Sequence, residues 1–290
     1  MGIMPSDNVY AKMGAHEEGH DNFLWDCYTC QAGQSVMGPQ SMWSSSQPAR
    51  QQIKQEALED PVKREQFQRY LVIAGPLLDE LAKLGYEIDT LDDLRHQGKP
   101  WKTALPALLR WLPKIDDPSV KDSIVRCLSV PWVGNKATAE LIEEFKKCAP
   151  ILPKPTSPWV GNQMREIPEA EKKLGPYFSL AWAIGNALSI VDVKGFERQI
   201  IELCRNAKYG AARQMMVLGL GRLHSSDAEE AALDLLSDEQ VQVHAIGALA
   251  KMKSKRALFE LEKLLTDKRG EIRKEARKAI TKIMGESKAK

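Results

Sequence analysis

The chain has 290 residues, with 41 Lys and Arg against 39 Asp and Glu and 43% hydrophobic side chains, enough for a sizeable core. A formal charge of +2 excludes a protein that coats nucleic acid along its whole length. The longest apolar runs, such as 178–184, fall well short of the roughly 20 residues that cross a bilayer, and no signal pattern opens the chain. Five cysteines make no disulfide framework, so a cytoplasmic protein with reduced thiols and no membrane span is expected.

Residues 1–52 stand apart. Up to position 49 they hold one positive charge, Lys12, and five negative ones, Asp7, Glu17, Glu18, Asp21 and Asp26, with no sustained apolar period. Such a segment cannot bury enough surface to offset the entropy of ordering it, and a disordered N-terminal tail is expected. Within it, His16, His20, Cys27 and Cys30 give H-x3-H-x6-C-x2-C. Histidines at i and i+4 share a helical face and C-x2-C is a common zinc half-site, so zinc is one reading; a chance grouping of donors in a polar tail is the other. No other cofactor is expected. Gly2 and Ser6 also fit a short myristoylation pattern, which Pro5 disfavours.

Residues 53–98 read as capping helices at the N-terminal end of the array that follows. Glu59-Asp60-Pro61 makes a helix start, and Phe67, Leu71, Leu78, Leu81 and Leu84 supply an apolar stripe. Gly75-Pro76 is expected to kink or split that helix. Thr90 followed by Asp93 marks the start of a second, shorter helix.

From residue 99 to 286 the chain repeats itself with a period near 30 residues. Apolar positions at 0, +4, +7, +8 and +11 line one side of a helix. They recur as Val120, Ile124, Cys127, Leu128; Ala212, Met216, Gly219, Leu220, Leu223; Val241, Ala245, Ala248, Leu249, Met252; and Ile272, Ala276, Ala279, Ile280, Ile283. A looser copy runs Pro176, Leu180, Ala183, Ile184, Ala187. Upstream partners with apolar positions at 0, +4, +7 and +8 begin at Ala104, Phe196, Ala228 and Ala257. A helix and its partner joined by a tight turn need about that spacing, and the pattern allows no strand past Trp101.

Another first helix, carrying Ala137, Leu141, Phe145 and Cys148, is followed by five prolines between 150 and 168. At that density no helix forms, so a proline-rich insertion at 149–168 is expected to replace this repeat's second helix. Pro-Trp-Val-Gly-Asn occurs twice, at Pro131–Asn135 and Pro158–Asn162. Each copy reads either as a binding loop, with Trp132, Asn135, Trp159 and Asn162 as contacts, or as a helix-exit turn whose Trp caps the core, with Gly-Asn at positive φ.

An acidic turn followed by V-R-x-x-A-x-x-A-L carries a resemblance. It stands as Asp117-Pro-Ser-Val120-Lys121, Ala212-Arg213, Val241-Gln242 and Ile272-Arg273-Lys-Glu-Ala276. In this the chain resembles the HEAT-repeat family, above all its short bacterial members. Where the basic residue is expected after the anchor, Tyr177 and Gln242 stand instead. The resemblance implies an all-α, right-handed α–α solenoid of about five helical hairpins, with second helices lining the inner surface. It says little about activity, because such arrays serve as scaffolds, carriers, lyases and DNA-repair enzymes.

If second helices form the binding face, positions +3, +6 and +10 from each anchor flank the core stripe. They include Arg126; Trp182 and Asn186; Arg222; His244 and Lys251; and Lys278 and Lys282. Residues 251–290 hold 14 Lys and Arg against 6 Asp and Glu, a net of +8 that leaves the other 250 residues at −6. Lys274, Arg277, Lys278 and Lys282 of the last helix either keep a terminal repeat wet or seek an anion. The expected function is a non-catalytic scaffold or adaptor that binds a protein partner on the second-helix surface. The alternative is a nucleic-acid-associated protein, such as a HEAT-type glycosylase using Trp101, Trp111, Trp132, Trp159, Trp182 and Asp117. Gly219 and Gly221 read as sites of close helix approach, and Asp116-Asp117 as a helix cap.

Overall fold

A computed structural model describes residues 59–97, 100–149, 159–160, 163–164 and 169–285. The zinc candidates His16, His20, Cys27 and Cys30, the Gly2–Ser6 pattern and the 1–52 tail lie outside the described residues. The chain forms two units, residues 1–67 with 157–165 and residues 68–156 with 166–290.

In the first unit, helix α1 (Pro61–Lys83) begins where Asp60 accepts hydrogen bonds from the Val62 amide at 2.9 Å and the Lys63 amide at 3.3 Å. Pro61 lacks the amide that would be orphaned there. The same unit holds a minimal antiparallel pair, β1 (Trp159–Val160) with β2 (Gln163–Met164). This corrects the expectation of no strand past Trp101, but only inside the proline-rich insertion. It also separates the two identical pentapeptides, since the first copy forms a 3-10 turn, Pro131–Val133, and the second contributes a strand.

In the second unit α1 continues to Lys83 without splitting at Pro76. Proline removes one helical hydrogen bond and crowds the carbonyl four residues back, at a cost of about 3 kcal/mol. Ala74, Leu77 and Leu81 are fully buried around it, and that burial holds the helix through the proline. The buried stripe is thus shifted from the one expected, and Leu84 is exposed. Helix α2 (Leu91–Arg95) starts at a capping box in which Asp93 accepts from the Thr90 amide at 2.8 Å.

Five hairpins follow among the described residues: α3 (Leu105–Trp111) with α4 (Pro118–Leu128), α5 (Thr138–Cys148) with α6 (Glu169–Ile190), α7 (Glu197–Arg205) with α8 (Gln214–Gly219), α9 (Ser226–Asp234) with α10 (Gln242–Met252), and α11 (Leu258–Leu264) with α12 (Gly270–Met284). The class is all-α, as the resemblance implied. Second helices pack successively, α4 on α6, α6 on α8, α8 on α10 and α10 on α12. The anchors of this stack, Val120, Ala212, Val241 and Ile272, are buried, as are nearly all their +4, +7 and +8 companions.

One expectation is corrected. No second helix is lost between α4 and α6. Helix α5 packs on α6, which itself packs directly on α4, so the insertion lengthens the turn within one hairpin and leaves the stack unbroken. A long connection between two helices is tolerated because loop-closure entropy grows only slowly with length.

The residue after the anchor has a common task in the last three repeats. Arg213 is fully buried and donates to the Cys204 carbonyl at 2.7 Å, the Gly210 carbonyl at 2.9 Å and Asp238 at 2.6 Å. Gln242 donates to the Leu236 carbonyl at 2.6 Å and accepts from Arg269 at 2.6 Å. Arg273 donates to the Asp267 carbonyl at 2.7 Å. Each side chain reaches back to carbonyls at the end of its own hairpin's first helix or in the turn that follows it. Gln242 shows why arginine is not obligatory there. Lys121 departs from this pattern and pairs instead with buried Glu144 on α5.

Glycines set the spacing of the stack. A Cβ on Gly219 would lie 2.9 Å from Ser189 Cβ and 3.0 Å from its Cα; one on Gly221 would lie 2.9 Å from the Ala248 carbonyl oxygen. The close-approach reading of Gly219 and Gly221 holds.

Candidate binding surface on the second helices

The helical register places one +3 and one +6 side chain on each stacked second helix. On α4 these are Ser123, buried, and Arg126, half-buried. On α6, +6 is Trp182, half-buried; on α8 they are Met215 and Leu218, both buried. On α10 they are His244, half-buried, and Gly247; on α12, Glu275, buried, and Lys278, exposed. The +10 positions are Asn186, half-buried, and then Arg222, Lys251 and Lys282, all exposed.

Three buried polar atoms on this row have no hydrogen-bond partner: Trp182 Nε1, His244 Nδ1 and Glu275 Oε2. They sit on α6, α10 and α12. His244 keeps some accessible surface as a residue while Nδ1 itself is sealed, and burial pulls its pKa down to about 4, so it is neutral at pH 7. Glu275 uses its other oxygen to accept from Lys278 at 3.0 Å. A buried donor or acceptor left unmet costs about 1–3 kcal/mol.

The α4 end of the row joins a polar cluster that the sequence reading assigned only to a cap. Asp92 on α2 is buried, its Oδ1 has no hydrogen bond, and the Arg95 guanidinium lies 3.7 Å away. Burial, opposed by Arg95 and Arg126, pushes the Asp92 carboxyl up to about 6. Arg126 pairs with Asp122 one turn earlier on α4. Tyr70 accepts from the Leu91 amide at 3.1 Å, and burial pushes its hydroxyl pKa up. The only sequence signal for this cluster was the Asp92–Arg95 spacing, which places both on one helical face.

The remaining candidates scatter. Trp132 packs edge-to-face on Trp101 at 5.5 Å, and Gly134 at φ 64 turns the chain so that its carbonyl accepts from the Asp192 amide. That copy of the pentapeptide is a helix-exit turn, with Asn135 exposed at its end. Trp159 lies on β1, and Asn162 is outside the described residues. Asp117 caps α4, accepting from the Ser119 and Val120 amides, and meets Arg69 at 3.2 Å. Trp111 donates to Glu80 at 2.9 Å. Lys274, Arg277, Lys278 and Lys282 are all exposed on α12. Cys127, Cys148 and Cys204 are buried free thiols whose pKa burial raises, to about 12 for the last two. Among the described residues no group of three or more His, Cys, Asp and Glu could hold a metal, and no helix is long and apolar enough to cross a membrane.

A family model of HEAT repeats matches residues 197–286. That segment carries HEAT repeats. The matched HEAT segment runs from the start of α7 past the end of α12, and α3–α6 continue the same pairing and anchor register before it. No curated protein and no solved structure matches the chain.

Proposed function

We propose that the chain is a HEAT-repeat scaffold that binds a protein partner, without turnover, on its second-helix face. The observation that carries this reading is the face itself, where stacked second helices present the half-buried side chains of Trp182 and His244 beside exposed Arg222, Lys251 and Lys282. Tryptophan in such a setting is a frequent anchor of binding energy. Asp117 is already engaged as a helix cap, and the protonated thiols of Cys127, Cys148 and Cys204 make poor nucleophiles.

Affinity capture from the native host tests this reading. The partner held by the parent protein is lost with Trp182→Ala and His244→Ala together and kept with Phe259→Asp, which alters an exposed side chain on first helix α11. Retention by the double variant with loss by Phe259→Asp contradicts it.

A second reading, an association with nucleic acid, is favoured by the net +8 of residues 251–290 and the exposure of Lys274, Arg277, Lys278 and Lys282. It requires affinity for an oligonucleotide that falls with salt at a log–log slope near 0.7 per phosphate contacted.

A further inference from the structure

The +10 positions of three successive stacked helices are basic: Arg222 after α8, Lys251 on α10 and Lys282 on α12. Their placement follows from packing as well as register. Arg222 donates to the Ser189 carbonyl at the end of α6. A Cβ on Gly221 would lie 2.8 Å from Lys251 Cβ, so Lys251 is seated against the turn that carries Arg222. Helix α12 packs on α10 and continues the series. Packed helix axes lie about 8–10 Å apart, which sets the step of this row.

We propose that Arg222, Lys251 and Lys282 form a basic ladder that holds an extended acidic peptide along the second-helix face. This rests on the protein-binding reading of that face and specifies its partner. A peptide in the polyproline II conformation advances about 3.1 Å per residue and returns to the same side every third residue, a repeat of about 9 Å. Carboxylates at every third position therefore meet one ladder residue each, while the intervening main chain runs over the half-buried side chains of Trp182 and His244. A single-stranded nucleic acid suits the row less well. Such strands bind on repeated aromatic platforms, and the row has one indole.

The test measures fluorescence anisotropy of a labelled 15-residue peptide, five repeats of Glu-Leu-Ala, with the full-length protein at low salt. The same peptide with Lys for Glu and a 15-nucleotide oligothymidine are the comparison probes. The ladder triple variant Arg222→Glu, Lys251→Glu, Lys282→Glu is set against Arg198→Glu, Lys255→Glu, Lys263→Glu, an equal charge change at exposed sites off the ladder. Thermal melts by circular dichroism confirm that both fold. An exposed ion pair contributes little and reversal turns attraction into repulsion, so each ladder change weakens binding about threefold and all three about 30-fold. The control triple changes it less than about threefold. Equal loss in both triples, equal binding of the Lys peptide, tighter binding of the oligonucleotide, or no binding of the Glu peptide overturns the ladder. If Trp182→Ala abolishes binding while the ladder triple does not, the ladder falls and the face reading stands. If neither variant matters, both fall.

Discussion

Two buried groups give the residue scale opposite pH signatures. His244 has a folded pKa near 4 against 6.5 for the free side chain, so between those values the unfolded chain binds more protons and stability rises with pH. Its full contribution is present above pH 6.5 and is lost as pH falls through 4. Asp92 has a folded pKa near 6 against 3.8, so there the folded chain binds more protons and stability falls as pH rises through that window. In the parent protein the two slopes oppose each other. We expect Asp92→Asn to gain stability relative to the parent as pH rises from 4 to 6, and His244→Gln to gain relative to the parent as pH falls from 6.5 to 4. Melting temperatures of the three proteins across pH 4 to 7 check this; parallel curves contradict it. Neither group announced itself in the sequence. His244 read only as a candidate on the binding flank and Asp92 was given no role, because desolvation depends on what packs above a residue, and that is set by distant parts of the chain.

Single elements are joined to their neighbours by a few side chains with no substitute. Arg213 is fully buried with three acceptors, two of them carbonyls, so its removal strands Asp238 and leaves the Cys204 carbonyl open. Arg213→Ala is expected to cost about 3–5 kcal/mol in chemical denaturation. Arg213→Lys recovers only part of this, because a single ammonium cannot reproduce the guanidinium fork. A full rescue by lysine counts against this account. Gly219→Ala gains helix propensity worth about 1 kcal/mol but drives a methyl into the Ser189 backbone, and overpacking costs about 1–3 kcal/mol, so the melting temperature falls. An unchanged or raised melting temperature contradicts the tight α6–α8 contact. Both features were half-legible. The motif gave Arg213 its place but not its acceptors, and Gly219 was readable as a packing glycine because it replaces an apolar residue at a core position.

At the scale of the whole molecule, helical periodicity made the hairpins legible, since each anchor set from Val120 to Ile283 is a run of core positions that burial enforces. The proline-rich stretch misled for the opposite reason. Counting periods assumes that every repeat has the same length, and the chain instead lengthened one turn and kept α6 in the stack. The proposed binding row was legible as a register, but not which of its side chains stay accessible, because the burial of Ser123 and Glu275 is set by what packs above them. The terminal repeat should also matter to the rest. Ending the chain before α11 uncovers the apolar face of α10, including Ala245 and Leu249, and the shortened protein is expected to unfold at lower denaturant or to associate. Sedimentation and urea titration of a chain ending at residue 254 check this, and an equally stable monomer contradicts it.

Hydrogen exchange of the full chain with and without its captured partner tests the central claim most directly. Protection confined to α6, α8, α10 and α12, centred on the turns carrying Trp182, Leu218, His244 and Glu275, is the result expected. Protection falling instead on α7, α9 and α11 contradicts it.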